Sequence, residues 1–279
     1  MDGSGAAHRD WDLLVSPWHL DEQIDGFPSP TGAIVLAGPP DPAASELDRL
    51  TGRYRDVADA VAEVDRPLVL AGDCLTSLGL VAGLQRRHRD ISLVWLDAHG
   101  DFNTPEISAS GYLAGMSLAM LTGRAPEAIS ERLGLRPVPD EHAVLIDARD
   151  LDPAEREALD ASRVRRLAAD PDAVRDVLNG PSVGDFYLHV DVDIIDGKDL
   201  SELRWDTSAG PSFSVVEQCL AQIVGAAPPI AACIACPWTP DRIGDESTRR
   251  AVTRLAAVIG AELQWSADGA DLEAAGLSE

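Results

Sequence analysis

A chain of 279 residues with 47 acidic and 23 basic side chains, a formal charge of −24, is poorly suited to nucleic acid or to an anionic membrane surface. No linker, repeat or low-complexity tract divides residues 1–279, so one α/β domain is expected, and no run approaches the ~18 apolar residues of a membrane span. Four cysteines do not make a disulfide framework, and MDGSGAAHRD lacks the basic and apolar regions of a signal peptide, so the expected compartment is the cytoplasm.

Asp12–Ser16 (DLLVS) reads as the first strand, ended by Pro17 and Trp18. Trp18 and His19 then either line the mouth of a site or pack on the sheet. Turn signals at 26–31 precede a second strand, Ala33–Ala37. A helix is predicted from about Ala44, because Leu47, Leu50, Tyr54, Val57, Val61 and Val64 recur at helical spacing. Leu68–Ala71 is the third strand, and Gly72-Asp73-Cys74 follows it at the head of another helix. A cysteine at such a junction serves either as a small hydrophobe or as a ligand.

Leu93–Leu96 is a short apolar strand, and at its end stand Asp97, His99 and Asp101. Alternation along an extended segment would put the three side chains on one side. A polar run follows, with Asn103, Ser108 and Ser110. Met116–Leu121 and Pro126–Leu133 read as helices, and Ala143–Ile146 as a strand. Asp152-Pro153 with Glu155 has the form of a helix start. Asp170–Leu178 is the next helix. Phe186–Asp196 repeats the earlier logic: His189, Asp191 and Asp193 alternate, while Leu188, Val190 and Val192 point the other way. Carboxylates on apolar strands are costly to bury unless paired or bound to cations. The acids gathered here call for more than one positive charge, and their composition suits hard or borderline divalent ions. Asp196–Ser212 is read as a loop, Phe213–Ala226 as a helix and Ile230–Cys236 as the last strand. Cys233 and Cys236 lie inside that apolar strand and read as packing. Glu246–Leu263 is the final helix, and the acidic tail from Ala267 is expected to fray.

Asp97-Ala98-His99-Gly100-Asp101-Phe102-Asn103-Thr104-Pro105 and Asp191-Val192-Asp193 resemble the two central motifs of the arginase/agmatinase (ureohydrolase) family, with weaker similarity from about residue 65 onward. The resemblance implies a three-layer α/β/α sandwich around a central, mostly parallel eight-stranded sheet. It implies two divalent metal ions, expected to be Mn2+, and a bridging hydroxide that attacks a guanidinium carbon. By position, Asp97 and Asp191 would bridge the ions, Asp101 would serve one of them, and His99 and Asp193 the other. Cys74 stands where the family has a histidine ligand; without it as a ligand, a single ion would remain. Asn103, Ser108 and Ser110 match residues that hold a substrate α-carboxylate, and Asp152 and Glu155 match those that hold an α-amino group. An amino-acid substrate is therefore expected, in a chain that could form the homo-oligomers common in the family.

The chain also departs from the pattern. Ala114 replaces the proton-shuttling histidine of arginases. Pro237 (Cys236 with a one-residue slip) replaces a guanidinium-binding glutamate. His189 replaces a small residue, and could be a substitute base, an orienting group or a core histidine. Within the family the chain is most similar to the hydroxy-arginine hydrolase branch of D-cycloserine biosynthesis, at Cys74, GDFNTPE, Gly111-Tyr112-Leu113 and His189-x-Asp191-x-Asp193. That branch retains the glutamate. The expected reaction is hydrolysis of N-hydroxy-L-arginine to ornithine and hydroxyurea, with Asp101 or His189 accepting a hydrogen bond from metal-bound water. Hydrolysis of another guanidino, amidine or amide metabolite, and a non-catalytic metal-binding relative, are the alternatives.

Overall fold

The computed structural model describes residues 10–265 except 39–40, 42, 89, 126–128, 179–183, 202, 206 and 240–241. The elements run β1 (Asp12–Ser16), β2 (Trp18–His19), β3 (Glu22–Gln23), β4 (Ile34–Val35), α1 (Glu46–Glu63), β5 (Pro67–Ala71), α2 (Thr76–Leu84), β6 (Ser92–Asp97), α3 (Ser117–Leu121) and α4 (Ser130–Leu133). They continue with β7 (Ala143–Asp147), α5 (Pro153–Ala161), β8 (Arg165–Leu167), α6 (Pro171–Leu178), β9 (Phe186–Asp191), α7 (Phe213–Ala226), β10 (Ala231–Ala235) and α8 (Glu246–Val258).

Eight strands form one sheet in the order β4-β1-β5-β10-β9-β6-β7-β8, and each neighbouring pair is parallel. The strands are apolar on both faces because both faces are covered. Leu14, Val69, Leu93, Trp95, Leu145 and Tyr187 pack on the side of α1, α2 and α3. Val15, Leu70, Val94, Leu96, Val190 and Ile234 pack on the side of α6, α7 and α8. The tightest helix contact is α1 on α2. A Cβ at Gly83 would lie 2.6 Å from the Ala58 carbonyl oxygen, and one at Gly79 would collide with that of Tyr54.

The expected three-layer sandwich with its eight-stranded sheet is observed. One strand of the eight-stranded sheet escaped the sequence: β8, RRL, is a half-exposed edge strand with too little apolar content to stand out. The small β2–β3 hairpin was likewise illegible. The strand expected at Ala33–Ala37 shrinks to Ile34–Val35 at the other edge. The last helix ends at Val258, and Gly260 adopts a positive φ of 81° beyond it. The tail from Ala267 and residues 126–128 of the helix expected at Pro126–Leu133 lie outside the described residues.

With every pairing in the eight-stranded sheet parallel, its strands all end on the same edge. β9 and β10 lie between β5 and β6, so the chain crosses over them after β5 and later returns to fill the gap. Crevices beyond the carboxyl ends of strands at such a crossing are where open α/β sheets bind ligands.

Candidate functional site

The four central strands deliver the site. β5 leads to Asp73 and Cys74, β6 to Asp97, His99 and Asp101, β9 to Asp191 and Asp193, and β10 to Pro237, all of them lining one cleft of about 320 Å³. Alternation along extended strands accounts for only part of this convergence. β6 ends at Asp97, and Asp101 is brought round by a left-handed backbone (φ 48°), which aspartate tolerates better than most residues. β9 ends at Asp191, and Asp193 sits in a 3-10 turn and donates its own backbone N–H to Asp191 Oδ1 at 2.9 Å. The expectation of two uninterrupted extended ligand runs is corrected accordingly.

Potential ligand atoms fall into two groups. Cys74, Asp97, His189 and Asp191 offer atoms all within 4.8 Å of one another, and so do Asp97, His99 and Asp193. Asp97 belongs to both. Its Oδ1 accepts the His99 N–H at 2.7 Å and its Oδ2 accepts the Trp95 indole N–H at 3.1 Å. His99 Nδ1 lies 3.0 Å from Asp193 Oδ2 and 3.4 Å from Asp97 Oδ1. Cys74 Sγ donates to Asp191 Oδ2 at 3.0 Å. Asp101 is 4% exposed, and its Oδ2 has no hydrogen-bond partner among the described residues.

This electrostatic arrangement calls for cations. Burial, followed by the charge of Asp193, raises the Asp97 carboxyl. Burial and the neighbouring Asp97 push Asp101 well above the ordinary carboxylate range. Burial, Asp193 and Asp97 do the same to Asp191, and burial with Asp101 and Asp191 raises the Cys74 thiol. Burial opposes a charge on His99, but its hydrogen bonds to Asp193 and Asp97 prevail and push it up to about 12. A proton held that firmly between two carboxylates marks a place where a cation is stabilised. The unpartnered Asp101 oxygen and the donor set of carboxylate, imidazole and thiol fit a pair of divalent ions.

The expected substrate-side residues also border the cleft. Asn103, Ser108, Ser110, Asp152 and Glu155 all line it. Ser108 and Ser110 brace their own loop, accepting from the N–H groups of Gly111 at 3.0 Å and Tyr112 at 3.2 Å. Asp152 and Glu155 form a capping box on α5, and Asp152 also accepts from Asn103 Nδ2 at 3.4 Å. Glu155 Oε1 takes the Phe102 N–H at 2.9 Å, which ties α5 to the loop after β6.

His189 lies elsewhere. It is fully buried, does not line the cleft, and stacks on Trp95 with ring centroids 3.6 Å apart. Its Nδ1 meets Ser77 Oγ and Tyr187 Oη, each at 3.1 Å, and burial lowers its pKa to about 3. Trp18 packs under the Arg53 guanidinium and donates to the Leu36 carbonyl. His19 bonds Tyr112 Oη at 3.1 Å and stacks against Tyr112 and Trp205 at the cleft mouth. Pro237 is the residue that lines the cleft in its segment, while Cys236 turns into the core. Cys233 packs on the opposite face of the sheet from Cys236, so the CxxC pair is packing.

Several contributors went unread in the sequence. Trp95 looked like strand filler. Arg149 donates to the carbonyl oxygens of Asp193, Ile194 and Thr207 and pairs with Asp147, holding the loop after β9. Tyr112 and Trp205, 4.7 Å apart, form an aromatic wall. A lone arginine after a strand and scattered aromatics carry no local signal, because their partners are distant in sequence.

Similarity to known proteins agrees with this geometry. The chain is 33% identical over 162 residues to an arginase of Staphylococcus aureus (strain MRSA252), covering 54% of this chain and 53% of that one. It is 34% identical over 143 residues to an N(omega)-hydroxy-L-arginine amidinohydrolase of Streptomyces lavendulae, covering 51% and 50%. These matches thus span about half the length of the relatives. The arginase of Bacillus caldovelox superposes with a TM-score of 0.78 at 20% identity, covering 92% of this chain and 100% of that one. The Arginase family model matches residues 19–235, which takes in both acidic clusters and seven of the eight strands of the main sheet in whole. With the parallel sheet and ligand-bearing strand ends already in place, that match puts the chain in the arginase family.

Proposed function

We propose that this protein is a metal-dependent amidinohydrolase that cleaves a C–N bond of an arginine-like amino acid, with N-hydroxy-L-arginine as substrate and ornithine and hydroxyurea as products. The observation carrying this reading is the pair of ligand groups sharing Asp97 at the floor of a cleft walled by amide, hydroxyl and carboxylate side chains. The ions would supply a nucleophilic hydroxide near neutral pH and polarise the substrate. Asp97, His99 and Asp193, a hard donor set, would hold a Mn2+-class ion. Asp97, Asp191, Asp101 and Cys74 border the second position.

The remaining steps belong to the chain's own groups. Asn103, Ser108 and Ser110 can donate to an α-carboxylate without adding charge, and Asp152 and Glu155 can accept from an α-amino group. Asp101, which lines the cleft and has one carboxylate oxygen without a partner among the described residues, could accept a hydrogen bond from the attacking water and hold its proton. His189, sealed below the floor, is not placed to touch substrate. Pro237 and Ala114 add neither a carboxylate nor an imidazole to the cleft. A charge-assisted pair with a guanidinium, about 1.5–3 kcal/mol, is therefore missing at that register, and this favours a less basic group such as N-hydroxyguanidine. The same observation leaves another guanidino, amidine or amide group as the second reading, a neutral amide being the one furthest from arginine.

The test is to incubate the protein with Mn2+ and, separately, N-hydroxy-L-arginine, L-arginine and neutral amides. Ornithine with hydroxyurea is expected from the first, at higher kcat/KM than ornithine with urea from the second. Turnover of an amide alone would select the second reading. Absence of any turnover by a metal-loaded protein would refute the hydrolase assignment.

A further inference from the structure

Below the cleft floor, Cys74 and His189 approach the same point from two strands. Cys74 follows β5 and His189 stands on β9, two strands away across β10. Their ligand atoms, with one oxygen each of Asp97 and Asp191, all lie within 4.8 Å of one another. The thiol is 7% exposed and the imidazole is fully buried. A cysteine in such surroundings can be mere packing, so the decisive observation is the histidine.

His189 is held as ligating histidines are held. One ring nitrogen, Nδ1, is engaged by the hydroxyls of Ser77 and Tyr187, which also bond each other at 2.7 Å. Trp95 stacks on the ring and fixes its plane. The other nitrogen, Nε2, is buried and has no partner among the described residues. Metal-bound histidines typically use one nitrogen for the ion and have the other oriented by an oxygen. An unpaired nitrogen in a dry pocket is otherwise costly.

We propose, resting on the two-ion reading above, that Cys74, His189, Asp97 and Asp191 form a thiolate–imidazole site for a thiophilic divalent cation of the zinc class, so that the centre holds two unlike ions. A sulfur, a nitrogen and two oxygens make a donor set common for tetrahedral Zn2+ or Co2+, and a poor one for Mn2+. The other position, Asp97, His99 and Asp193, has no sulfur and remains the Mn2+-class site. On binding, Cys74 gives up its proton to solvent and becomes the thiolate ligand. His189 thus serves as a ligand rather than as a base.

The experiment uses the full chain, stripped of metal, given one equivalent of Zn2+ and then an excess of Mn2+. Elemental analysis is expected to find one zinc and one manganese per chain. X-ray absorption at the zinc edge should show one sulfur at about 2.3 Å with imidazole nitrogen. The Co2+-loaded protein should show a near-ultraviolet thiolate-to-cobalt charge-transfer band. Cys74→Ser should abolish that band while one cobalt remains bound, and His189→Gln should shift the visible cobalt bands. Two manganese ions and no zinc, or zinc lacking sulfur scattering in the unmodified protein, would overturn the proposal even if both variants failed to fold. These readouts do not depend on turnover. Hydrolysis by a protein with no sulfur-bound ion would sink this inference alone. A sulfur-bound ion in a protein that turns over nothing would sink the hydrolase reading alone.

Discussion

Trp95 shows how one side chain can serve both the core and the site. It is fully buried in β6, donates its indole N–H to Asp97 at 3.1 Å and stacks on His189. Asp97 is shared by both ligand groups, so its orientation affects both. Substituting Trp95→Phe keeps an aromatic ring in the core but removes the donor. Loss of such an outer partner typically weakens metal affinity about 10–100-fold. We expect that decrease in a competition titration against a chelator, with the circular dichroism spectrum unchanged. Unaltered affinity would show that the indole merely fills space.

At the level of elements, α5 and α2 carry the main constraints. α5 begins with the Asp152–Glu155 capping box, and the same two acids face the cleft. Asp152→Ser separates the two roles, because serine also caps helices well while lacking a carboxylate. Stability should stay within about 0.5 kcal/mol of the parent by denaturant titration. If Asp152 holds an α-amino group, KM for the amino-acid substrate should rise with kcat little changed; an unchanged KM would limit Asp152 to capping. In α2, whose residues are all buried, a Cβ at Gly79 would collide with the Tyr54 carbonyl and lie 2.9 Å from Val57 Cβ. Alanine is the better helix former by about 1 kcal/mol, yet overpacking costs about 1–3 kcal/mol and strikes backbone here. Gly79→Ala should therefore destabilise the protein in urea titrations, and a gain in stability would mean that α1 moves aside freely.

For the whole molecule, the site places a cluster of acids inside a chain of net charge −24. Burial and mutual repulsion raise the carboxyls of Asp97, Asp101 and Asp191. A folded pKa above the unfolded one contributes stability that is complete below the unfolded value and lost as pH rises through the folded value. His99, raised to about 12, acts in the same sense above its ordinary 6.5. His189, lowered to about 3, opposes on the acid side, because the unfolded chain takes up its proton first. The metal-free protein should thus lose stability as pH rises from the ordinary carboxylate range toward neutrality. Divalent ions displace those protons and stabilise by mass action, about 2.7 kcal/mol for one site at 100 times its Kd. The gap in Tm between metal-loaded and chelated protein should widen with rising pH in thermal scans. A gap that narrows would mean that the acids are not metal ligands.

The local pattern of residues determined most strands, most helices and the two acidic runs, because burial at both sheet faces leaves uninterrupted apolar segments and acids at their ends are tolerated beside cations. Asp97, His99, Asp101, Asp191 and Asp193 were therefore legible as candidates from residue type and spacing, whereas Cys74 became a candidate only through the resemblance to the family. Only the tertiary arrangement decided what depends on distant partners: that Asp97 is common to both ligand groups, that His189 lies under the floor with one nitrogen lacking a partner among the described residues, and that Arg149 and Trp95 hold the acids in place. The edge strand β8 stayed hidden for the same reason, since its place comes from pairing with β7 rather than from apolar content of its own. Spacing along a chain records which face a side chain takes, whereas the order of strands in the sheet sets which faces meet.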